Sequence, residues 1–216
     1  MTDVTPPPPP SPPPSPPPLS GGPSGGPSYP IELEYDRDYD VQNWRPLVNW
    51  LLAIPHWIVL YFLGIVAFVL WFISLFVVLF TQRNPFVGFQ TMYLRYYWRV
   101  SSFAGFMRDD YPPFDFATDD ASPVQDPAVV TAEDPGDMNR FLGFVQWLLA
   151  FPHYIVLWLL EIALFVVLVI NLFIVLFTGR WNEPMRDFCV GVARWHTRVY
   201  GYVFLITNQY PPFSLQ

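Results

Sequence analysis

Glu161 is the residue whose type and place most invite chemistry, because it is a lone carboxyl group in an otherwise uncharged apolar stretch. An ionisable group at such a depth is by default a functional hypothesis, either as an ion or proton carrier or as a hydrogen-bonding partner of a neighbouring helix. His56 and His153 each follow a proline inside an apolar run. An imidazole there could bond the carbonyls that the proline frees, bind a lipid phosphate or titrate, and the structural role comes first. Two histidines and one glutamate lack the i, i+3 or i+4 spacing of metal ligands, so no metal is expected. Arg95 and Arg99, and again Arg194 and Arg198, lie four apart among Tyr and Trp. That pattern suits a helix gripping anionic lipid headgroups. Cys189 is the single thiol and reads as packing. No Gly-rich phosphate loop, G-x-S-x-G elbow or paired-Cys motif occurs, so neither an enzyme nor a cofactor is expected.

These groups sit in a chain of 216 residues that is 52% apolar, 19% aromatic and only 13% charged, far from the balance of a soluble domain. No charge occurs between Arg45 and Arg83, and between Arg140 and Arg180 only His153 and Glu161 are ionisable. Each run exceeds the roughly 20 residues that a spanning helix needs. The net charge of −7 comes mainly from acids outside the runs, from Glu32 to Asp40 and from Asp109 to Asp137. These read as solvated surface rather than as a calcium or partner site, and the chain is not expected to bind nucleic acid. No signal peptide is visible, so the first apolar run is expected to direct membrane insertion.

An internal repeat organises the chain. Trp50-Leu51-Leu52-Ala53-Ile54-Pro55-His56 returns 97 positions later as Trp147-Leu148-Leu149-Ala150-Phe151-Pro152-His153. Leu79-Phe80-Thr81 with Arg83 returns at the same interval as Leu176-Phe177-Thr178 with Arg180. Beyond a two-residue insertion, Tyr111-Pro112-Pro113-Phe114 becomes Tyr210-Pro211-Pro212-Phe213. The expected division is a disordered Pro/Ser/Gly tail over 1–28, a first unit over 29–116, a linker over 117–122 and a second unit over 123–216. The tail reads as a spacer, with P-x-x-P segments able to dock on protein partners.

Each unit predicts an alternating strand-like opening, clear in Ile31-Glu32-Leu33-Glu34-Tyr35 and degenerate in the second copy. A helix kinked at Pro55 or Pro152 follows, spanning from Trp57 to Phe80 or from Tyr154 to Phe177. Last comes an interfacial Arg/aromatic helix, Phe86 to Met107 or Phe188 to Leu205, closed by Tyr-Pro-Pro-Phe. The fold class is therefore an all-α integral membrane protein of two tandem repeats. Its sidedness stays open. One crossing per unit would set the Arg helices on opposite faces, whereas an even number would gather them on one. Gly64 alone at the centre of the first run favours an uninterrupted span over a hairpin.

The repeated Trp-Leu-Leu-Ala-[Ile/Phe]-Pro-His, Leu-Phe-Thr-x-Arg, Arg-[Tyr/Trp]-x-x-Arg-Val and Tyr-Pro-Pro-Phe together resemble a bacterial membrane family known only as domain of unknown function 4389. The resemblance implies one or two copies of this unit, often after a proline-rich tail, in the plasma membrane, and carries no activity to transfer. In the second copy Thr197 stands where the first has Trp98. The expected role is a non-enzymatic scaffold or accessory subunit that binds membrane lipids and proteins and can self-associate. The competing role is a small transporter or channel with a path at Glu161.

Overall fold

The computed structural model describes residues 29–118 and 126–216, so the proline-rich tail and most of the linker 117–122 lie outside the described residues. The first unit contains strand β1 (Ile31–Tyr35) and helices α1 (Arg45–Leu52), α2 (Ile54–Thr81) and α3 (Val87–Ala104). The second repeats the order with β2 (Ala128–Ala132), α4 (Leu142–Leu149), α5 (Phe151–Thr178) and α6 (Glu183–Val203).

Both apolar runs form uninterrupted helices of 28 residues, about 42 Å long, and each is long and apolar enough to cross a membrane. Neither is kinked internally by its proline. Pro55 and Pro152 occupy the first turn of α2 and α5, where the missing N–H would have had no partner, so they start a helix rather than bend one. Ala53 and Ala150 mark the junctions and keep helical dihedrals. The Leu-Phe-Thr-x-Arg motif is the matching stop. Gln82 and Gly179 take the left-handed conformation, and the Thr81 and Thr178 hydroxyls accept from the Arg83 and Arg180 N–H groups. Glycine is needed at 179, where a Cβ would come within 2.7 Å of Asn43 Oδ1.

The fold is mostly helical, with one two-stranded sheet. The second opening does form a strand, and β2 pairs antiparallel with β1 in a ladder centred on Leu33 and Val130. Exposed Val129 hides the alternation, yet Ala128 and Val130 face inward as Ile31 and Leu33 do. One face of the ribbon is buried, and Glu34, Val129 and Thr131 are exposed on the other.

The Arg/aromatic helices are not isolated at an interface either. Asn49 meets Phe103, Trp57 meets Tyr97 and Gly64 meets Tyr93, so α3 folds back antiparallel along α1 and α2. Its other side carries the sheet. Strand β2 lies on α3 and β1 lies on α6, each strand on the other unit's helix, while the backbones of α2 and α5 approach neither strand nor each other closely. The layers therefore run from ribbon to α3 and α6 to the long helices. The outermost surface is apolar, with Ile58, Phe62, Ile65, Phe72 and Phe76 on α2 and Ile155, Leu159, Ile162, Phe165 and Phe173 on α5 all exposed.

The units are related by a local two-fold, because a set of main-chain bonds between them is made twice. Asp36 N donates to Pro127 O and Glu133 N to Pro30 O, the donors and the acceptors each 97 positions apart. Val41 N donates to Gly179 O just as Met138 N does to Gln82 O. The exposed pairs Arg180–Asp40 and Arg83–Asp137 repeat the relation. A two-fold between antiparallel strands stands perpendicular to their ribbon.

Ile31 is fully buried, and its Cγ2 would lie 2.7 Å from a Cβ placed on Gly201 of α6. Ile31→Ala is expected to destabilise by about 2–5 kcal/mol, and Gly201→Val to push β1 off α6. Both would lower the unfolding midpoint in detergent, whereas an unchanged midpoint would mean that the exchanged strand is not structural.

Candidate functional site

The chemistry of the molecule is concentrated between the ribbon and α3/α6, and it is arginine-rich. Arg95 projects from α3 to β2, where Nε and Nη2 both donate to Val130 O at 3.3 Å. Arg194 of α6 reaches β1, its Nε donating to Leu33 O at 3.1 Å. These carbonyls belong to the central pair of the ladder, so each unit's first arginine secures the other unit's strand. Arg99 donates from Nη1 to Asp115 Oδ2 at 2.9 Å and lies 3.8 Å from Asp126. Asp126 also receives Arg108 Nη1 at 2.7 Å, and both of these side chains are at most 3% exposed. Arg198 is buried with Glu32 of β1 as an opposing charge.

Sequence reasoning expected Arg95, Arg99, Arg194 and Arg198 at lipid headgroups. The structure turns them inward instead, with Arg95, Arg99 and Arg198 buried and Arg194 half-buried. A guanidinium has five donors and demands acceptors wherever it lies, and strand carbonyls and aspartates supply them here. The acids were likewise not all solvated surface, because Asp126 is buried and Asp115 nearly so. Nothing local in the sequence marks the buried roles of Arg108 and Arg186. Arg108 stands beside Asp109 and Asp110 and reads as an ordinary loop charge. Arg186 is buried, donates to the carbonyls of Arg37 and Asp38, and lies 3.8 Å from the centre of the Tyr39 ring. Near it, burial pushes the Tyr35 phenol up to about 12 despite the pull of Arg108, so it remains a donor, to Met107 O at 3.0 Å.

The two histidines occupy equivalent aromatic boxes at the starts of α2 and α5. His56 Nδ1 lies 2.6 Å from Tyr96 Oη, and its ring stacks on Phe114 at 4.1 Å. His153 Nδ1 accepts from Trp195 Nε1 at 3.1 Å and stacks on Phe213 at 4.0 Å. The closing Tyr-Pro-Pro-Phe thus forms the lid of each box. These imidazoles bind neighbouring side chains rather than proline-freed carbonyls. Nε2 has no hydrogen-bond partner in either box.

Glu161 does not point away from the protein. It lies on the flank of α5 that faces α6, 3.3 Å from His196 Nε2, in an open cleft of about 250 Å³ with Tyr154, Trp158 and Tyr200. Its counterpart, Gly64, has the Tyr93 hydroxyl within 3.3 Å of where a Cβ would stand, so the first unit has no equivalent carboxylate. The cleft is half of a pair that the two-fold would otherwise make. Cys189 is buried in the core.

Fold and site together define a class: a helical protein of two interlocked repeats, with a buried Arg–Asp layer and two helices of membrane-spanning length. Within that class, residues 43–115 and 143–214 both match the family described as Domain of unknown function (DUF4389), and the chain belongs to it. Comparison with curated proteins and with solved structures brought no match.

Asp126→Asn removes the charge that opposes two buried guanidinium groups and is expected to cost about 3–5 kcal/mol, read as a lower detergent unfolding midpoint. Asp126→Leu combined with Arg108→Met should recover much of that loss. Because the Trp195 indole can only donate, ¹⁵N shifts of His153 are expected to show a bare Nδ1 and a protonated Nε2. The opposite tautomer would refute the assignment.

Proposed function

We propose that the chain is a non-enzymatic membrane protein, a scaffold or accessory subunit held in lipid by α2 and α5. The observation that carries this reading is how the two surfaces divide the residues. The long helices and the short ones that lead into them expose an apolar surface, including Trp57 and Trp158 on α2 and α5 and Trp50 and Trp147 on α1 and α4, of the kind that populates headgroup belts. The polar residues that might have done chemistry are spent on partners inside the fold.

Contacts with anionic headgroups fall in this reading to Arg83, Arg140 and Arg180, which are exposed beside the ends of α2 and α5. Protein partners engage the exposed acidic edge and the proline-rich tail. A second reading, a small transporter or channel, is favoured by the Glu161–His196 contact in its cleft. Against it, the cleft lies on the flank of α5, and the first unit has Gly64 where the second has Glu161. Flux into proteoliposomes that falls in Glu161→Gln would favour it.

Each exposed arginine near an anionic surface contributes roughly 1 kcal/mol, less where an aspartate already faces it. The triple variant Arg83→Gln, Arg140→Gln, Arg180→Gln is expected to co-purify several-fold less anionic lipid relative to zwitterionic lipid after mild detergent extraction. An unchanged ratio, together with no reproducible partner in a nanodisc pull-down, would refute the scaffold.

A further inference from the structure

The geometry points to an in-plane protein: α2 and α5 lie within one leaflet, with the ribbon toward water, instead of crossing the bilayer. The inference rests on the membrane reading above and deepens it. The local two-fold leaves two placements that give both repeats equivalent surroundings, since its axis runs either along the membrane normal or in the membrane plane.

The reciprocal bonds decide what each placement requires. Val41 meets Gly179, and Met138 meets Gln82. With the axis in the plane, the two-fold sends Gln82 and Gly179 to opposite faces. The helix pairs α1–α2 and α4–α5 then cross as an inverted pair. With the axis along the normal, symmetry equates the depths of Gln82 and Gly179 and of Val41 and Met138. The bonds equate the rest, so all four lie at one depth. The helix pair leaving Val41 has then returned to its starting depth at Gln82. Its lowest point is the Ala53 junction, and α1, with eight residues, descends at most about 12 Å to it. Even with the turn over residues 42–44 that leads into α1, that falls well short of a hydrocarbon core of about 30 Å.

The ribbon separates the two cases. The axis passes through the ladder at Leu33 and Val130. An in-plane axis therefore places the outer face of the ribbon at mid-depth against lipid, with Glu34 exposed there and Glu32 partly so. Charged groups at that depth are among the costliest a membrane protein can carry. An axis along the normal places the same acids in water and the apolar faces of α2 and α5 in the leaflet. Glu161, on the flank facing α6, also stays clear of the hydrocarbon centre.

The test uses the full chain in a Cys189→Ser background. Asp40, Arg83, Asp137 and Arg180, four exposed positions at the helix-pair ends, are each replaced singly by cysteine. A membrane-impermeant maleimide is applied to intact cells and to inverted vesicles. The expected result is that all four react from the same face. Reaction of Arg83→Cys and Asp137→Cys from one face, and of Asp40→Cys and Arg180→Cys from the other, would establish an inverted spanning pair and overturn the proposal. Alkaline carbonate extraction is run first on the same membranes. Release of the protein there would overturn the membrane reading itself, while retention followed by split labelling would overturn only the in-plane placement.

Discussion

A two-stranded antiparallel ribbon is at best marginally stable by itself in water, and everything else in this molecule follows from how that deficit is met. Each strand lies on the final helix of the other unit, and an arginine of that helix holds the strand's central carbonyl. Neither unit can bury its own strand, so neither is complete without its neighbour. The exchange generates the two-fold, and the two-fold brings the start of each helix pair to the end of the other.

Strain and buried charge are accepted at the same junctions. Phe106 and Leu205 close α3 and α6 with positive φ, a conformation that bulky residues rarely adopt. Their carbonyls then accept from Trp181 Nε1 at 2.8 Å and Asn84 Nδ2 at 3.0 Å, each reaching from the other unit. The tight turn that costs backbone energy is the one that turns a carbonyl toward the partner unit. The charges follow a similar logic, because an arginine inside a protein is tolerable only where fixed acceptors replace its water.

The symmetry is one of backbone and not of chemistry. Arg108 and Asp115 of the first unit correspond to Thr207 and Ser214 of the second, so the Asp126 network has no counterpart. The position equivalent to Asp126 is Tyr29, whose hydroxyl donates to Gln209 O at 2.7 Å. Conversely, the Glu161 cleft belongs to the second unit alone. Any partner or ligand that reads polar groups meets two different surfaces, while the apolar faces of α2 and α5 are similar.

The sequence by itself determined the repeat, its frame and the long apolar helices. Those signals are local, since helix length is written in a continuous apolar run, whereas Pro55 and Pro152, which read as kinks, act as helix starts because they fall in the first turn of α2 and α5. Membership of the family was legible for the same reason, since motifs keep their spacing whatever the fold does. The destination of the arginines was not legible. An Arg four residues from another among aromatics looks the same whether it faces phosphate or a strand carbonyl, and the acceptor, Val130 O, lies 35 residues away in another unit. The second strand was hidden because Val129 is apolar yet exposed, so its pattern means strand only once β1 is beside it. Tertiary structure alone decided which groups face each other, because burial and pairing depend on contacts between distant segments, which no periodicity within a segment encodes.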